Sequence, residues 1–251
     1  MARLVMRRKR EKTGNRTTGR LAALAAGLVV AVLLWLGWVP GLSKIVHKIE
    51  RLGIDQISSI VGTTPERDDF VFLGIDDASL SLAGLDEEVV AQSEVLPLLR
   101  ERFPWNRRVW AEAIERLGAA GARVIAVDLL FAAPSGDPEG DLALAEAISR
   151  YRDRVVLASE WGPDAGGDQG QEVTLLREPL LEFLGPAGEE TAQGFVNFWP
   201  DADDGMIRET FFRLSRNDAQ MDPRIERHRD EPVFDSFAAA IGRKLGGRVP
   251  D

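Results

Sequence analysis

Between residues 70 and 160 the chain alternates strand-like and helix-like apolar patterns, and this alternation most constrains its fold. Three short apolar runs have the pattern of buried strands: 70–75, 122–131 and 154–160. Two stretches between them have apolar side chains at helical spacing: 106–120 and 140–149. Strands separated by helical crossovers predict an α/β fold with a mostly parallel sheet and flanking helices.

The ends of these elements also have sequence signals. Asn106 is a candidate N-cap of the first helix and Gly121 a candidate stop. Further on, an alternating pattern around an Asp/Gly-rich turn predicts a β-hairpin over residues 194–215. Apolar residues on one face predict a helix over 234–247. The fold class is therefore α/β with an added β-hairpin.

The N-terminus predicts a membrane anchor. Residues 1–20 hold eight Lys/Arg and one acid, whereas the remainder holds 23 basic and 39 acidic residues, a formal charge of −16. Residues 21–39 contain no charge and, as a helix, just span a bilayer. Basic residues stay cytoplasmic, so 1–20 is predicted to be a cytoplasmic tail and 21–39 a single transmembrane helix. A cleaved signal peptide is the competing interpretation, and nucleic-acid binding by the tail is not expected.

Residues 40–69 are predicted to form a helical juxtamembrane segment that ends near Gly53 or Gly62. A helix in this position could carry homodimer contacts, or it could pack on its own domain. Residues 70–251 are predicted to form the folded domain beyond the membrane.

Three acidic residues follow two of the predicted strands. Asp76 and Asp77 follow the first strand, and Asp128 ends the second. Ligands of parallel α/β sheets bind outside the carboxyl ends of the strands, where these carboxylates would converge if the two strands are neighbours. They could then bind a hard cation, or a cationic or hydroxyl-bearing small molecule. Alternatively, they accept hydrogen bonds from loop and helix N-terminal amides.

An aromatic corner precedes the first helix, in the sequence FPWNRR at 103–108. Trp105 and Arg107 could line the mouth of a crevice and recognise an anion. Alternatively, a Pro-Trp pair at a helix entrance is a packing staple. The predicted ligand-binding residues are therefore Asp76, Asp77, Trp105, Arg107 and Asp128.

Several chemistries lack their usual residues. The chain has no cysteine and two histidines, which excludes disulfides and thiolate sites and gives little support to a His-based triad or zinc site. No Gly-rich nucleotide motif, P-loop or nucleophile elbow is present. No catalytic residue, metal or cofactor is predicted.

The sequence resembles one sensory family, the CHASE2 domain. The similar segments are GIDDASL (74–80), 103–148, RVVLAS (154–159) and 194–209, within residues 70–215. The resemblance implies an extracytoplasmic α/β sensory domain of bacterial transmembrane receptors, in which further spans and a cytoplasmic output domain follow. The chain reaches Asp251 without that later part, so the resemblance implies an incomplete domain whose output module is absent from this chain.

The predicted protein is a non-enzymatic, single-pass sensor of the bacterial cell membrane. Its N-terminus is cytoplasmic, and its main domain is periplasmic or extracellular and binds an unknown small-molecule ligand. Two alternatives remain open: a membrane-anchored enzyme that uses the Asp cluster with a metal, and an envelope protein whose acidic body binds a partner.

Overall fold

The structure, a computed structural model, describes residues 24–32, 35, 43–61, 67–81, 84–163, 174–201, 204–220 and 231–249. The chain forms two compact units, residues 1–71 and residues 72–251. The predicted tail 1–20 lies outside the described residues, and the predicted span 21–39 is described only in part.

In the first unit, residues 24–32 are helical, and helix α1 follows at Ser43–Val61. Helix α1 continues through Gly53 as far as Val61, so of the two predicted stops it does not end at Gly53. Within the part of the chain that is described, no helix has both the length and the apolar character that crossing a bilayer requires. Apolar side chains along α1, among them Ile49, Leu52 and Ile57, are exposed.

The second unit contains seven more α-helices among its described residues: α2 (Asp77–Ser81), α3 (Glu87–Ala91), α4 (Arg107–Ala119), α5 (Pro138–Arg150), α6 (Leu181–Leu184), α7 (Arg216–Gln220) and α8 (Phe237–Lys244). A 3₁₀ turn lies at Leu96–Arg100. The described strands are β1 (Ile125–Val127), β2 (Val155–Pro163), β3 (Thr174–Arg177), β4 (Ala192–Phe195), β5 (Arg213–Ser215) and β6 (Val233–Asp235). The predicted helix at 234–247 is thus shorter, since β6 occupies its first residues.

The main sheet is built around β2. Strands β1 and β4 pair with β2 in parallel, with Ile125 opposite Val155 and Val156 opposite Ala192. Strand β3 pairs in antiparallel with the end of β2, with Trp161 opposite Leu176. Three of the four strands are therefore parallel, which confirms the α/β class and the mostly parallel sheet. The predicted strand at 122–131 is only three residues long, because β1 is paired only over 125–127.

The core forms where α4 and α5 pack on the sheet. One apolar cluster joins these helices to β1 and β2 and includes Ile114, Leu144, Ile148 and Leu157. Both faces of β2 are buried, which explains why its sequence is a continuous apolar run instead of an alternating one. Helix α8 packs against β4 and β2.

The predicted hairpin at 194–215 is wrong. Among its described residues only the two ends are strands, and they do not pair with each other: β4 pairs with β2, and β5 pairs in antiparallel with β6 in a separate two-stranded sheet. A local alternating pattern indicates which residues are extended, but it does not determine which strand each one pairs with.

The predicted strand at 70–75 is also absent. The segment has no helix or strand assignment, and its side chains are exposed, with Phe72 82% exposed and Leu73 67% exposed. The apolar run predicts a buried strand, yet a strand needs a neighbour for its backbone hydrogen bonds, and no described strand pairs with this segment.

Candidate functional site

A candidate site lies around the loop that follows β1, because the N-terminal caps of α4 and α5 meet at the end of this loop. Asp128 is the first residue after β1 and is exposed. The loop continues through Phe131, Ala133 and Ser135 to Asp137, the N-cap of α5. The carboxyl end of a parallel strand and two helix N-termini therefore lie in the same region, which is where α/β folds commonly bind ligands.

The two helix caps contact each other. Asn106 caps α4 by accepting from the Arg108 backbone N–H at 3.0 Å, and its side-chain amide donates to Asp137 Oδ2 at 2.8 Å. Asp137 in turn accepts from the Glu139 N–H at 3.2 Å. The bond from Asn106 is the largest of the effects that hold the pKa of Asp137 below its ordinary value. A side chain at Gly140 would meet Asn106 Oδ1 and Asp137 Oδ2 at 2.9 Å, so glycine is what lets the two caps meet.

Arg107 is buried beneath these caps and is only 6% exposed. Its Nη1 donates to Asp141 Oδ1 at 2.7 Å, and its Nη2 donates to the Ala133 carbonyl. The guanidinium also lies over two aromatic rings, 5.4 Å from the centroid of Phe131 and 5.0 Å from that of Phe183. Arg107 thus holds the loop after β1 against α5, and its charge is already balanced by Asp141.

Asp141 completes the network from the first turn of α5. Ser135 donates to it twice, from its hydroxyl at 2.6 Å and from its backbone N–H at 3.1 Å. Burial alone would raise the pKa of Asp141, but the bonds from Ser135 and the charge of Arg107 outweigh that effect, so its pKa lies below the ordinary value. Asp141 is therefore a buried carboxylate held in its ionised form.

Trp105 is buried just before α4 and is 7% exposed. Its ring contacts Phe103 edge-on at 5.6 Å and Trp110 at 5.6 Å in a tilted arrangement. Its indole N–H has no hydrogen-bond partner among the described residues. The packing is that of a staple at the helix entrance, and it leaves one buried donor for which an acceptor would be favourable.

Asp76 and Asp77 lie at the start of the short helix α2. Asp76 Oδ1 accepts from the Ser79 backbone N–H at 2.8 Å and from the Ser79 hydroxyl at 2.7 Å. These bonds are the main reason that the pKa of Asp76 lies below its ordinary value. Asp76, Asp77 and Asp128 are all exposed, and in the part of the chain that is described no hydrogen bond or ion pair joins the first two to the loop after β1.

The structure therefore brings together Trp105 and Arg107 at the start of α4, with Arg107 bound to the loop that Asp128 begins. Sequence analysis missed Asp141 and Ser135, the partners of the buried Arg107. Asp137 followed by Pro138 is an N-cap with proline at the first helical position. This signal could have moved the predicted start of α5 from 140 to 138.

The network of Arg107, Asp141 and Ser135 supports the loop after β1. Among the described residues no three His, Cys, Asp or Glu side chains are grouped as a metal site would need. A cavity of about 310 Å³ exists elsewhere, lined by residues of β4, β6 and α8. Two of its charged residues are engaged within the protein, since Arg243 binds Asp235 at 2.5 Å and Lys244 donates to the Arg152 carbonyl at 2.9 Å.

Comparison with known proteins identifies the family. The model of the CHASE2 domain, an extracytoplasmic sensory domain, matches residues 25–248. The match extends on both sides of the region 70–215 from which the resemblance was inferred. No curated protein and no solved structure matches the chain. Because the family model covers most of the chain, the chain belongs to the CHASE2 domain family.

Proposed function

We propose that this chain is the membrane-anchored, extracytoplasmic sensor domain of a bacterial signal-transduction receptor. The observation that carries the proposal is the family match over residues 25–248, since CHASE2 is a sensory domain family. The basic residues of 1–20 and the uncharged stretch 21–39 support an N-terminal anchor with a cytoplasmic N-terminus. The output function then belongs to a part of the receptor outside these 251 residues.

The ligand is proposed to be a small molecule that binds at the loop after β1. Three observations support this place: the exposed carboxylate of Asp128 at the start of the loop, the two helix caps that meet at its end, and the indole N–H of Trp105, which has no hydrogen-bond partner among the described residues. Arg107 would act by positioning this loop, because its guanidinium is buried and bound to Asp141. The proposed site also includes the exposed carboxylates of Asp76 and Asp77, which the bound ligand would draw towards this loop from their separate segment. A ligand transmits a signal only if it binds two conformations with different affinity.

The orientation can be tested by labelling, because the chain has no cysteine of its own. Single-cysteine variants Thr17→Cys and Ser59→Cys would be treated in intact cells with a membrane-impermeant maleimide. The proposal predicts that residue 59 is labelled directly and residue 17 only after permeabilisation. Labelling of residue 17 in intact cells would contradict the cytoplasmic N-terminus.

Ligand binding can be tested by the melting temperature of the full chain with a panel of amino acids, polyamines, sugars and divalent chlorides. The proposal predicts a concentration-dependent rise for at least one compound. This rise should be lost in Asp128→Asn and in Asp76→Asn, where asparagine can still cap α2. It should be retained in the matched control Glu101→Gln, an exposed carboxylate on another segment. If the compound still raises the melting temperature of both Asp variants, the proposed site is wrong.

Two other results would point to the alternative functions. Metal-dependent turnover by the purified chain would favour an enzyme. Capture of a defined envelope protein, together with no response to any small molecule, would favour an interaction protein.

A further inference from the structure

Residues 72–75 form an apolar run that Asp76 follows, and no described strand pairs with it. Phe72 and Leu73 are 82% and 67% exposed, and Ile75 is 41% exposed. No strand pairing includes the segment, although it belongs to the same compact unit as the main sheet. Contiguous exposed apolar side chains are unfavourable in water and usually indicate an interaction surface.

The main sheet has a matching open edge at β1. Among the described strands β1 pairs only with β2, so its other edge has no strand neighbour. Ala126 at the middle of β1 is exposed, and Val127 is only half-buried. Open strand edges are templates for the addition of another strand.

We propose that residues 72–76 dock on this edge as a fourth parallel strand of the sheet. In the favoured register Leu73 lies beside Ile125, Gly74 beside Ala126 and Ile75 beside Val127. Neighbouring residues of paired strands point to the same face. Leu73 and Ile75 then point to the face where Ile125 belongs to the core.

The core has apolar surface that this docking would cover. Trp110 and Leu117 of α4 are packed against the core cluster and are only partly buried, as is Val127. Leu73 and Ile75 would extend the cluster at this edge. On the other face, the small residues Gly74 and Ala126 would lie side by side.

The chain connectivity favours the same arrangement. Residues 77–124 lead from the segment to β1 and contain α4, which packs against β1. A strand, a helix packed on the sheet and a parallel neighbouring strand form a βαβ unit, which is right-handed in nearly all proteins. The docked register also places Asp76 level with Asp128, so docking would bring together two of the proposed ligand residues.

The docked state can be trapped with a disulfide, because the full chain contains no other cysteine. The test variant is Gly74→Cys/Ala126→Cys, and the control is Gly74→Cys/Arg123→Cys, which places the second thiol three residues away from the proposed register. Disulfides require Cα atoms within about 7 Å of each other. After mild oxidation, peptide mapping and a non-reducing gel report which bonds form.

Docking predicts an intramolecular disulfide in the 74/126 variant at least ten times more abundant than in the 74/123 control. Substitution of Leu73 by Asn in the 74/126 background should lower its yield several-fold. Equal yields in the two pairs, no disulfide in either, or disulfides only between chains would each overturn the proposal. The last result would instead assign the open edge to a second copy. The test needs no ligand, so docking and the proposed sensory function can fail independently.

Discussion

Arg107 is the residue on which the described network most depends. It is buried with Asp141, two aromatic rings and a backbone carbonyl, whereas the neighbouring Arg108 forms an exposed pair with Glu139. The two arginines are adjacent in sequence, yet α4 directs one into the core and the other to the surface. The two ion pairs therefore allow the effect of burial on stability to be compared at neighbouring arginines.

Removing one partner of the buried pair should destabilise the domain strongly. Arg107→Met leaves Asp141 buried without its cation, and a loss of about 3–5 kcal/mol in the free energy of unfolding is expected. Arg108→Met, the control, should cost less than about 1 kcal/mol because its ion pair is exposed. Urea unfolding followed by tryptophan fluorescence measures both losses.

A double variant separates the pair from the other contacts of Arg107. The variant Arg107→Met/Asp141→Asn has no uncompensated buried charge. Its free energy of unfolding should therefore fall by at least about 1 kcal/mol less than the sum of the losses in the two single variants. Additive losses would show that the ion pair is not what makes Arg107 important.

The local caps around this network were predictable, but the ion pair was not. Asn106 as N-cap and Gly121 as stop were both confirmed, since a cap depends on residues within one turn of the helix end. Asp141 is 34 positions from Arg107. Nothing in the sequence near either residue indicates the other, because their contact exists only after α4 and α5 pack together.

At the scale of the elements, the close contact between β4 and α8 depends on Gly194. A Cβ atom at this position would lie 2.6 Å from backbone atoms of Ser236 and Phe237. Backbone cannot move aside as a flexible side chain can, so the strand or the helix would have to shift. The residue is therefore required for how closely these two elements pack.

Gly194→Ala should lower the free energy of unfolding by about 2–3 kcal/mol, as overpacking typically does. The matched control is Gly242→Ala within α8, where the added Cβ would make only an ordinary contact of 3.8 Å with Val249. This control should stabilise the domain by up to about 1 kcal/mol, because alanine is the better helix former. Thermal melts of the two variants should therefore shift in opposite directions, and a shared direction would contradict the packing argument.

Helices were easier to predict than strand partners. The patterns at 106–120 and 140–149 both became helices, because a helix satisfies its hydrogen bonds within the segment. The patterns at 70–75 and 194–215 identified extended or alternating residues but not their neighbours. A strand is completed by residues distant in sequence, so the pairing of β4 with β2 instead of β5 required the tertiary structure.

At the scale of the whole molecule, stability should fall in acid. Five described carboxylates have a pKa below the ordinary value: Asp76, Glu87, Asp137, Asp141 and Glu190. A carboxylate whose pKa is lower in the folded state than in the unfolded state stabilises the fold above the unfolded pKa, and this contribution is lost as the pH falls through the folded pKa. Asp76, Glu87 and Glu190 are exposed and Asp137 is half-buried, so the buried Asp141 should contribute most.

The free energy of unfolding is therefore expected to be nearly constant between pH 6 and 7 and to decline below about pH 4. The Asp141→Asn variant should show a shallower decline, because it lacks the carboxylate with the largest expected contribution. Urea titrations at several pH values measure the slope of the free energy of unfolding against pH for the unmodified protein and for the variant. Equal slopes would show that the acid sensitivity arises elsewhere.

The sequence by itself determined the family, the α/β class and the main helices, together with the caps of α4. These depend on periodicity and on residues close together in the chain. Tertiary structure alone decided that Arg107 is neutralised by Asp141, that β4 and β5 belong to different sheets, and that residues 70–75 lie exposed. Each of these depends on which distant segments meet. Such contacts are selected by the packing of the whole domain, and no local pattern encodes them.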